Sequence, residues 1–188
     1  MTVSTRLARA ADIGPIVTLW KRFMAEEHEA VPDADPEGAE ARWTARLQTQ
    51  VAESKVVVAD RGDALVGFLA FIDHRDRQWV PPGIAYVVDV YVAPEARRTA
   101  AARELFRAAA DRLRPAYSET WTNTHAGNRR MQLLLRRAGF KPLVGFEIEG
   151  LRDQVYYRRD NQARRRGGPI PIKLSVSVAL CGACLAWL

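Results

Sequence analysis

The sequence has few cysteines and histidines, and this scarcity restricts the metal and redox sites that it can form. Its two cysteines, Cys181 and Cys184, both stand near the end of the chain. One CxxC pair without a second pair is a weak signal for zinc or redox chemistry, and it lacks the βαβ context of a thioredoxin-like site. We therefore expect no metal site.

The chain also lacks an apolar segment of the kind that precedes a secretory cleavage site. Its first residues, MTVSTRLARAADIG, contain no apolar h-region, so no signal peptide is expected. The scarcity of cysteine agrees with a reducing compartment, and we expect a cytoplasmic location.

Acidic and basic residues are unevenly distributed, although the formal net charge of the 188 residues is +6. Acidic residues crowd the segment from Glu26 to Glu40, whereas arginines crowd the part of the chain after Arg129. No nucleic-acid-binding motif accompanies these arginines, so we interpret them as a solvated surface and expect no nucleic-acid partner. The acidic segment either steers a cationic amine by its electrostatic field or is a solvated loop.

Hydrophobic periodicity predicts a mixture of strands and helices. Apolar residues at three- and four-residue steps from Ile13 to Met24 predict a helix, and a second helix is expected from about Glu37. The segments Lys55–Ala59 and Ala64–Ile72 flank a turn with Gly62 and predict a hairpin. The predicted order along the chain is β-α-α-β-β-β-α-β-α-β-β, a mixed α/β fold with a central antiparallel hairpin.

We expect one domain over residues 1–160 and a separate tail over residues 161–188. The last strand pair of the domain is predicted at Phe140–Ile148 and Gln154–Tyr157. The tail begins with a basic linker and continues as an almost uncharged segment, which from Leu174 onward is shorter than the roughly 20 residues of a spanning helix. It packs on a partner subunit in a homodimer, anchors weakly to a membrane, or is an extension without a selected role. We favour the last interpretation.

The stretch from Ile84 to Phe106 organises the rest of the chain. An apolar run from Ala85 to Val92, broken only by Asp89, predicts a strand that Pro94 ends. A basic turn, Arg97–Thr99, then leads into an alanine-rich helix. The first N–H groups of a helix have no intrahelical partner, and the helix macrodipole is positive there. This junction therefore predicts a site for a phosphate-bearing cofactor.

Three segments, in this order, resemble the motifs of the GNAT acetyltransferase superfamily. The junction VYVAPEARRTAAA is similar to the cofactor loop V-x-P-x-x-R/Q-G-x-G-x-G/A. The segment NRRMQLLLRRAGF, from Asn128 to Phe140, is similar to the second motif N-x-x-A-x-x-L-Y-x-x-x-G-F, and the hairpin VVVADRGDALVGFLAF is similar to the strand pair that precedes them. The resemblance covers roughly Thr5 to Arg159.

The resemblance implies a fold and an activity. The fold would be a mixed, mostly antiparallel twisted sheet flanked by helices on both faces. The activity would be transfer of an acetyl group from acetyl-CoA to a primary amine of a small molecule or peptide, by direct attack of the amine on the thioester. A non-catalytic acyl-CoA-binding or regulatory module is the alternative.

The resemblance also implies which residues contact the cofactor. Backbone amides from Arg98 to Ala102 would hold the pyrophosphate, Val90 to Val92 would pair with the pantetheine arm as a pseudo-strand, and Asn128 would lie near the cofactor. The expected cofactor-binding residues are Val90, Val92, Arg97, Arg98, Thr99, Ala100, Ala101, Ala102 and Asn128.

Asp89 and Tyr91 are the expected catalytic residues. A carboxylate among valines would have a raised pKa, which suits a general base near neutral pH. The alternative for Asp89 is an outward-facing or hydrogen-bonded strand residue. A strand N–H near Val90 or Tyr91 would polarise the thioester carbonyl.

The sequence departs from the family pattern at three positions. Arg98 and Ala100 stand where glycine is usual; if the loop keeps helical φ, alanine fits, and if it needs φ > 0, cofactor binding suffers. Leu135 stands where many relatives have a tyrosine that protonates the leaving thiolate. Four tyrosines are candidate substitutes, and three histidines are further candidates. Two of these histidines are candidate catalytic groups, with an ordinary surface position as the alternative, and the one before Asn128 is a candidate cofactor contact. These tyrosines are Tyr91, Tyr117, Tyr156 and Tyr157, and the histidines are His28, His74 and His125.

Overall fold

The computed structural model describes residues 2–27, 38–62, 64–145 and 153–162, which form seven strands and four α-helices. The strands are β1 (Ser4–Leu7), β2 (Val56–Arg61), β3 (Ala64–Ile72), β4 (Ile84–Val92), β5 (Glu119–His125), β6 (Lys141–Pro142) and β7 (Gln154–Asp160). The helices are α1 (Ile13–Glu27), α2 (Ala39–Ala52), α3 (Ala101–Leu113) and α4 (Arg129–Arg137). This element order confirms the order that the periodicity predicts.

The strands form one sheet in the order β1-β2-β3-β4-β5-β7-β6. The pairs β1/β2, β2/β3, β5/β7 and β6/β7 are antiparallel. The mixed, mostly antiparallel α/β fold with flanking helices is therefore confirmed. The chain divides into two compact units, one with Met1–Ile72 and Val87–Arg112, the other with Asp73–Tyr86 and the chain from Leu113.

The core of the first unit is aromatic as well as aliphatic. The rings of Trp20 on α1 and Trp43 on α2 stack at 4.8 Å, and Trp43 meets Phe68 of β3 edge-on at 5.9 Å. Helical spacing predicts Trp20 and Trp43 as core residues, and both are buried. Their burial fixes α2 against the sheet through apolar area removed from water.

The second unit is built around the β5/β7 pair, whose register runs from Glu119↔Asp160 to His125↔Gln154. The Tyr86 hydroxyl donates to Asn123 Oδ1 at 2.6 Å, and the Asn123 amide donates to Gln154 Oε1 at 2.9 Å. These bonds satisfy polar groups that β5 would otherwise bury.

The predicted strand from Phe140 to Ile148 is wrong in extent. Strand β6 comprises only Lys141 and Pro142, after which Leu143 N–H donates to the Tyr156 carbonyl at 2.8 Å. Proline has no N–H for a ladder, and Gly145 takes a positive φ of 77°, so the chain turns away from a regular strand. Residues 146–148 and the tail from 163 lie outside the described residues.

Candidate functional site

The site begins at the end of β4, which is fixed by close contact with β3. Ala93 N–H donates to the Val66 carbonyl at 2.9 Å. A Cβ atom at Gly67 would lie 2.8 Å from the Tyr91 carbonyl oxygen, which is closer than real Cβ atoms approach. Glycine at position 67 is therefore required for this approach of the two backbones.

A short turn connects β4 to α3. Residues Pro94–Ala96 form one turn of 3₁₀-helix, and Arg97 N–H donates to the Ala93 carbonyl at 3.1 Å. The Thr99 hydroxyl donates to the Ala96 carbonyl at 2.6 Å and accepts from Ala101 N–H at 3.2 Å. Thr99 thus closes the turn and satisfies one of the first N–H groups of α3.

Four other backbone N–H groups at this junction make no hydrogen bond to a described residue. The first α-helical bond runs from Glu104 N–H to the Ala100 carbonyl at 2.9 Å. The open N–H groups are those of Arg98, Ala100, Ala102 and Arg103. Open amides at the positive end of a helix suit an anion, so the phosphate site expected from the sequence stays a prediction at this junction.

The backbone angles of this loop show whether the residues that replace the usual glycines, Arg98 and Ala100, have a positive φ. Arg98 has φ = +70°, whereas Ala100 is not among the described residues with positive φ. Alanine therefore fits at position 100, but an arginine at position 98 carries a conformational cost of about 1–2 kcal/mol. The loop keeps the left-handed geometry at the first glycine position without the glycine.

Arg97 does not extend freely toward solvent. Its Nε donates to the Val92 carbonyl at 2.9 Å, and its Nη2 pairs with Glu26 Oε2. Its guanidinium lies 5.5 Å from the centre of the Tyr91 ring, within cation–π range. The charge of Arg97 is therefore already paired, which the sequence does not reveal.

The Tyr91 hydroxyl also belongs to this cluster, since it donates to Glu26 Oε1 at 2.7 Å. Burial, and then the hydrogen bond to Glu26, raise the pKa of Tyr91 to about 12. Burial alone would raise the pKa of Glu26, but the hydrogen bonds from Tyr91 and Arg97 hold it below its ordinary value. The Tyr91 hydroxyl therefore stays protonated and hydrogen-bonded to Glu26. Only the backbone N–H and carbonyl of Tyr91 are then candidates for contact with a substrate.

Asp89 points from β4 toward α2. Its Oδ2 accepts from Arg46 Nη2 at 2.9 Å, and 12% of its side chain is exposed. Burial raises the pKa of Asp89, although the Arg46 charge opposes the rise. The Trp43 indole N–H is close enough to favour the ionised carboxylate too, but it makes no hydrogen bond of normal geometry. A raised pKa agrees with the sequence-based expectation for a base.

Asn128 lies in the second unit. It is the N-cap of α4, and its Oδ1 accepts from Met131 N–H at 3.0 Å. Leu135, at the usual tyrosine position of the family, is fully buried. Position 135 therefore offers no proton donor.

The other candidate tyrosines and the two described histidines lie in the second unit, where each is hydrogen-bonded or buried. The Tyr117 hydroxyl donates to Asp73 Oδ2 at 2.6 Å, and Tyr156 and Tyr157 are buried. His74 Nδ1 lies 3.0 Å from the Val80 carbonyl, and His125 Nδ1 accepts from Gly127 N–H at 3.0 Å. His28 lies outside the described residues.

The described ranges contain no cluster of three or more histidine, cysteine, aspartate or glutamate residues with metal-binding geometry. Both cysteines fall in the tail, which is not described. Among the helices that the structure describes, none combines the length and apolarity needed to cross a bilayer.

Comparisons with known proteins agree with this geometry. The model of the acetyltransferase (GNAT) family matches residues 18–140. No functionally curated protein matches the sequence.

Solved structures show the same fold. The chain is similar to the PaiA N-acetyltransferase from Thermoplasma acidophilum in complex with coenzyme A, with 14% identity and a TM-score of 0.66 over 85% of this chain and 99% of that one. It is similar to YncA from Salmonella typhimurium with its cofactor acetyl-CoA, with 16% identity and a TM-score of 0.66 over 92% and 100%. A phosphinothricin acetyltransferase from Sinorhizobium meliloti in complex with acetyl-CoA has 22% identity and a TM-score of 0.64 over 85% and 89%.

Proposed function

The chain belongs to the acetyltransferase (GNAT) family, and from this premise we propose that it moves an acetyl group from acetyl-CoA to a primary amine of a small molecule or peptide. The observation that carries the proposal is the β4–α3 junction. Its four open N–H groups lie at the positive end of α3, directly after the strand end. Similar structures that hold coenzyme A or acetyl-CoA support the same donor.

The open amides of the junction would bind the phosphates of the donor. They belong to Arg98, Ala100, Ala102 and Arg103, while Ala101 N–H is already held by Thr99. Thr99 therefore shapes the turn, and the exposed Arg98 side chain adds positive charge. The amides of Val90 and Val92 would pair with the pantetheine arm, with Asn128 as a further contact that the resemblance alone implies.

Acetyl-CoA supplies an acetyl group activated as a thioester. Asp89 would take the proton that the attacking amine loses, directly or through one water, because its raised pKa makes it a better base than an ordinary aspartate. A strand N–H near Val90 or Tyr91 would stabilise the negative charge that develops on the carbonyl oxygen. Positioning of the amine beside Asp89 would supply much of the remaining rate enhancement.

A non-catalytic acyl-CoA-binding module is the second candidate. Two observations favour it: Leu135 leaves the usual proton donor absent, and Arg98 holds a strained backbone where the family has glycine. Such a module would bind acetyl-CoA and release no thiol with any amine.

A thiol-release assay with acetyl-CoA over a panel of primary amines tests the proposal. We expect amine-dependent release of CoA by the full chain, and a fall of about 10²-fold or more in Asp89→Asn, since general base catalysis contributes 10²–10⁴-fold. Arg112→Gln, a change at an exposed residue near the far end of α3, is the matched control. Binding of acetyl-CoA without release on any amine would support the second candidate.

A further inference from the structure

Two buried side-chain donors lack a hydrogen-bond partner in the described part of the chain, and both belong to the same face of α2. They are Trp43 Nε1 and Arg46 Nε. Residues three apart on a helix are neighbours, and both of these act on the ionisation of Asp89. Buried polar atoms are nearly always paired in folded proteins. Both donors lie beside Asp89, so the hydrogen bonding around this carboxylate is incomplete in the described part of the chain.

The Arg46–Asp89 ion pair is held by a single hydrogen bond. Arg46 Nη2 donates to Asp89 Oδ2 at 2.9 Å. No described residue donates to Asp89 Oδ1 with normal hydrogen-bond geometry, although the Trp43 indole N–H lies close to the carboxylate, and no described residue accepts from Arg46 Nη1. The Asp89 side chain is 12% exposed and the Arg46 side chain 33% exposed. The pair therefore has one carboxylate oxygen and one guanidinium nitrogen that make no hydrogen bond of normal geometry to a described residue.

The surroundings of this pair are mostly apolar. Trp43 stacks on Trp20 and meets Phe68 edge-on, and Val88 packs against the same core cluster. In such surroundings a charge-assisted hydrogen bond is stronger than in water, and an unmatched charge on a ligand is costly. A ligand that brings one group of each sign satisfies both open atoms, whereas a plain cationic amine satisfies only Asp89.

We propose that the acetyl acceptor is a small amino-acid-like zwitterion, with its amine on Asp89 Oδ1 and its carboxylate on Arg46. The inference rests on the proposed function, which it narrows from any primary amine to one that carries an anionic group a few bonds away. The ammonium group of the zwitterion gives one proton to Asp89, and the freed amine nitrogen forms the new bond to the acetyl carbon while the carbon–sulfur bond breaks. The second nitrogen proton goes to the CoA thiolate, which leaves as the thiol. The carboxylate stays on the guanidinium and takes no part in the bond changes. Arg46 is thus a specificity residue for the acceptor.

The test compares amino acids with their own carboxamides, since each pair differs only in the anionic group. Thiol release by the full chain is expected to favour the amino acid at least about tenfold in kcat/KM, as a charge-assisted hydrogen bond permits. In Arg46→Gln this preference is expected to disappear, chiefly through KM. Arg46→Lys keeps the positive charge and is expected to retain part of the preference for the amino acid. Arg42→Gln, the same substitution on an exposed residue of the same helix, is expected to keep the full preference.

Equal rates on amino acids and carboxamides would overturn the zwitterion proposal and leave the acetyltransferase function standing, as would a preference that survives in Arg46→Gln. If no amine is acetylated, the proposed function fails. In that case the zwitterion site is tested by melting the CoA-loaded chain with each ligand. Amino acids are expected to raise Tm, whereas their carboxamides are not. Absence of that difference counts against the proposal. Melting curves of each variant confirm that it is folded.

Discussion

Arg98 illustrates how a single backbone angle sets the properties of the cofactor loop. Because its φ is +70°, its Cβ costs about 1–2 kcal/mol, while glycine adopts the same angle freely at an entropic cost of about 0.5–1 kcal/mol. We expect Arg98→Gly to raise the free energy of unfolding by up to ~1 kcal/mol and to bind acetyl-CoA more tightly than Arg98→Ala, which loses the same charge but keeps the Cβ. Urea denaturation and calorimetric titration measure the two effects.

Two matched variants separate backbone strain from charge at this position. Arg98→Ala removes the charge but keeps the Cβ, so no gain in stability is expected. Ala100→Gly lies two residues on, outside the positive-φ region, and is expected to leave binding intact while lowering stability slightly. Equal stabilities of Arg98→Gly and Arg98→Ala would show that the loop is not strained.

Asp89 predicts the pH dependence of the reaction. Burial raises the pKa of its carboxyl, so kcat/KM is expected to fall as the pH is lowered through a value above the ordinary aspartate pKa of about 3.9. Asp89→Asn is expected to lose this acidic limb together with most of the rate. A pH–rate profile corrected for the deprotonated fraction of the acceptor amine checks it, and an unchanged limb in Asp89→Asn would assign the base to another group.

Some residues of the site are accessible to sequence analysis and some are not. Asp89 interrupts an apolar strand, and the turn after Pro94 has a recognisable pattern, so both can be predicted. Arg46 lies 43 positions from Asp89 and Glu26 lies 65 positions from Tyr91. Nothing local distinguishes these two charges from others on amphipathic helices, because their partners are brought to them only by packing.

At the scale of elements, Gly67 links β3 to the strand end that carries the site. A methyl group there would lie 2.8 Å from the Tyr91 carbonyl oxygen and 3.2 Å from side chains of Val92 and Leu105. Since a backbone atom cannot move aside as a flexible side chain does, we expect Gly67→Ala to cost roughly 1–3 kcal/mol and to weaken acetyl-CoA binding. Gly14→Ala on α1, where nothing lies within 4 Å, is the control.

The control in this pair is expected to change stability little. Alanine favours helix over glycine by about 0.5–1 kcal/mol, but Gly14 precedes Pro15, whose ring disfavours a helical residue with a Cβ before it, so the two effects offset each other. Denaturation midpoints and acetyl-CoA titrations of both variants are the measurements. A Gly67→Ala chain as stable as the wild type would mean that β3 and β4 are less closely apposed than described.

Hydrophobic periodicity predicts the order of the helices and strands, but it does not predict where several of them begin or end. The alternation of apolar runs and helical spacing predicts all eleven elements in sequence. The strand predicted from Phe140 fails at Pro142, where the missing N–H limits the ladder to two residues. α2 begins at Ala39, since Gly38 before it has φ = +80° and cannot continue a helix backwards.

At the scale of the whole molecule, a partly buried charge cluster makes the stability of the fold depend on pH. The Asp12 carboxylate accepts from Arg6 at 2.6 and 2.9 Å and from Arg9 N–H at 2.7 Å. The hydrogen bond from Arg6, more than any other contact, holds the pKa of Asp12 below its ordinary value. A depressed carboxyl pKa stabilises the fold above about pH 4, and this contribution is lost as the pH falls through the folded-state pKa.

Asp12→Asn tests this coupling. We expect it to lower the free energy of unfolding at pH 7 by about 1–2 kcal/mol, discounted because Arg6 is one-third exposed, and to match the wild type near pH 2. Urea unfolding at several pH values measures the difference. A gap between the two chains that is independent of pH would show that Asp12 acts by packing and not by charge.

The family, the strand–turn–helix junction and the open amides all converge on one claim, that acetyl-CoA binds at the end of β4. Isothermal titration of the full chain with acetyl-CoA tests it most directly. The account predicts saturable binding of one equivalent, in the range of about 1 μM to 1 mM where enzymes hold their substrates, and unchanged binding by Asp89→Asn. Absence of saturable heat in the wild-type chain would contradict both the acetyltransferase and the acyl-CoA-binding module.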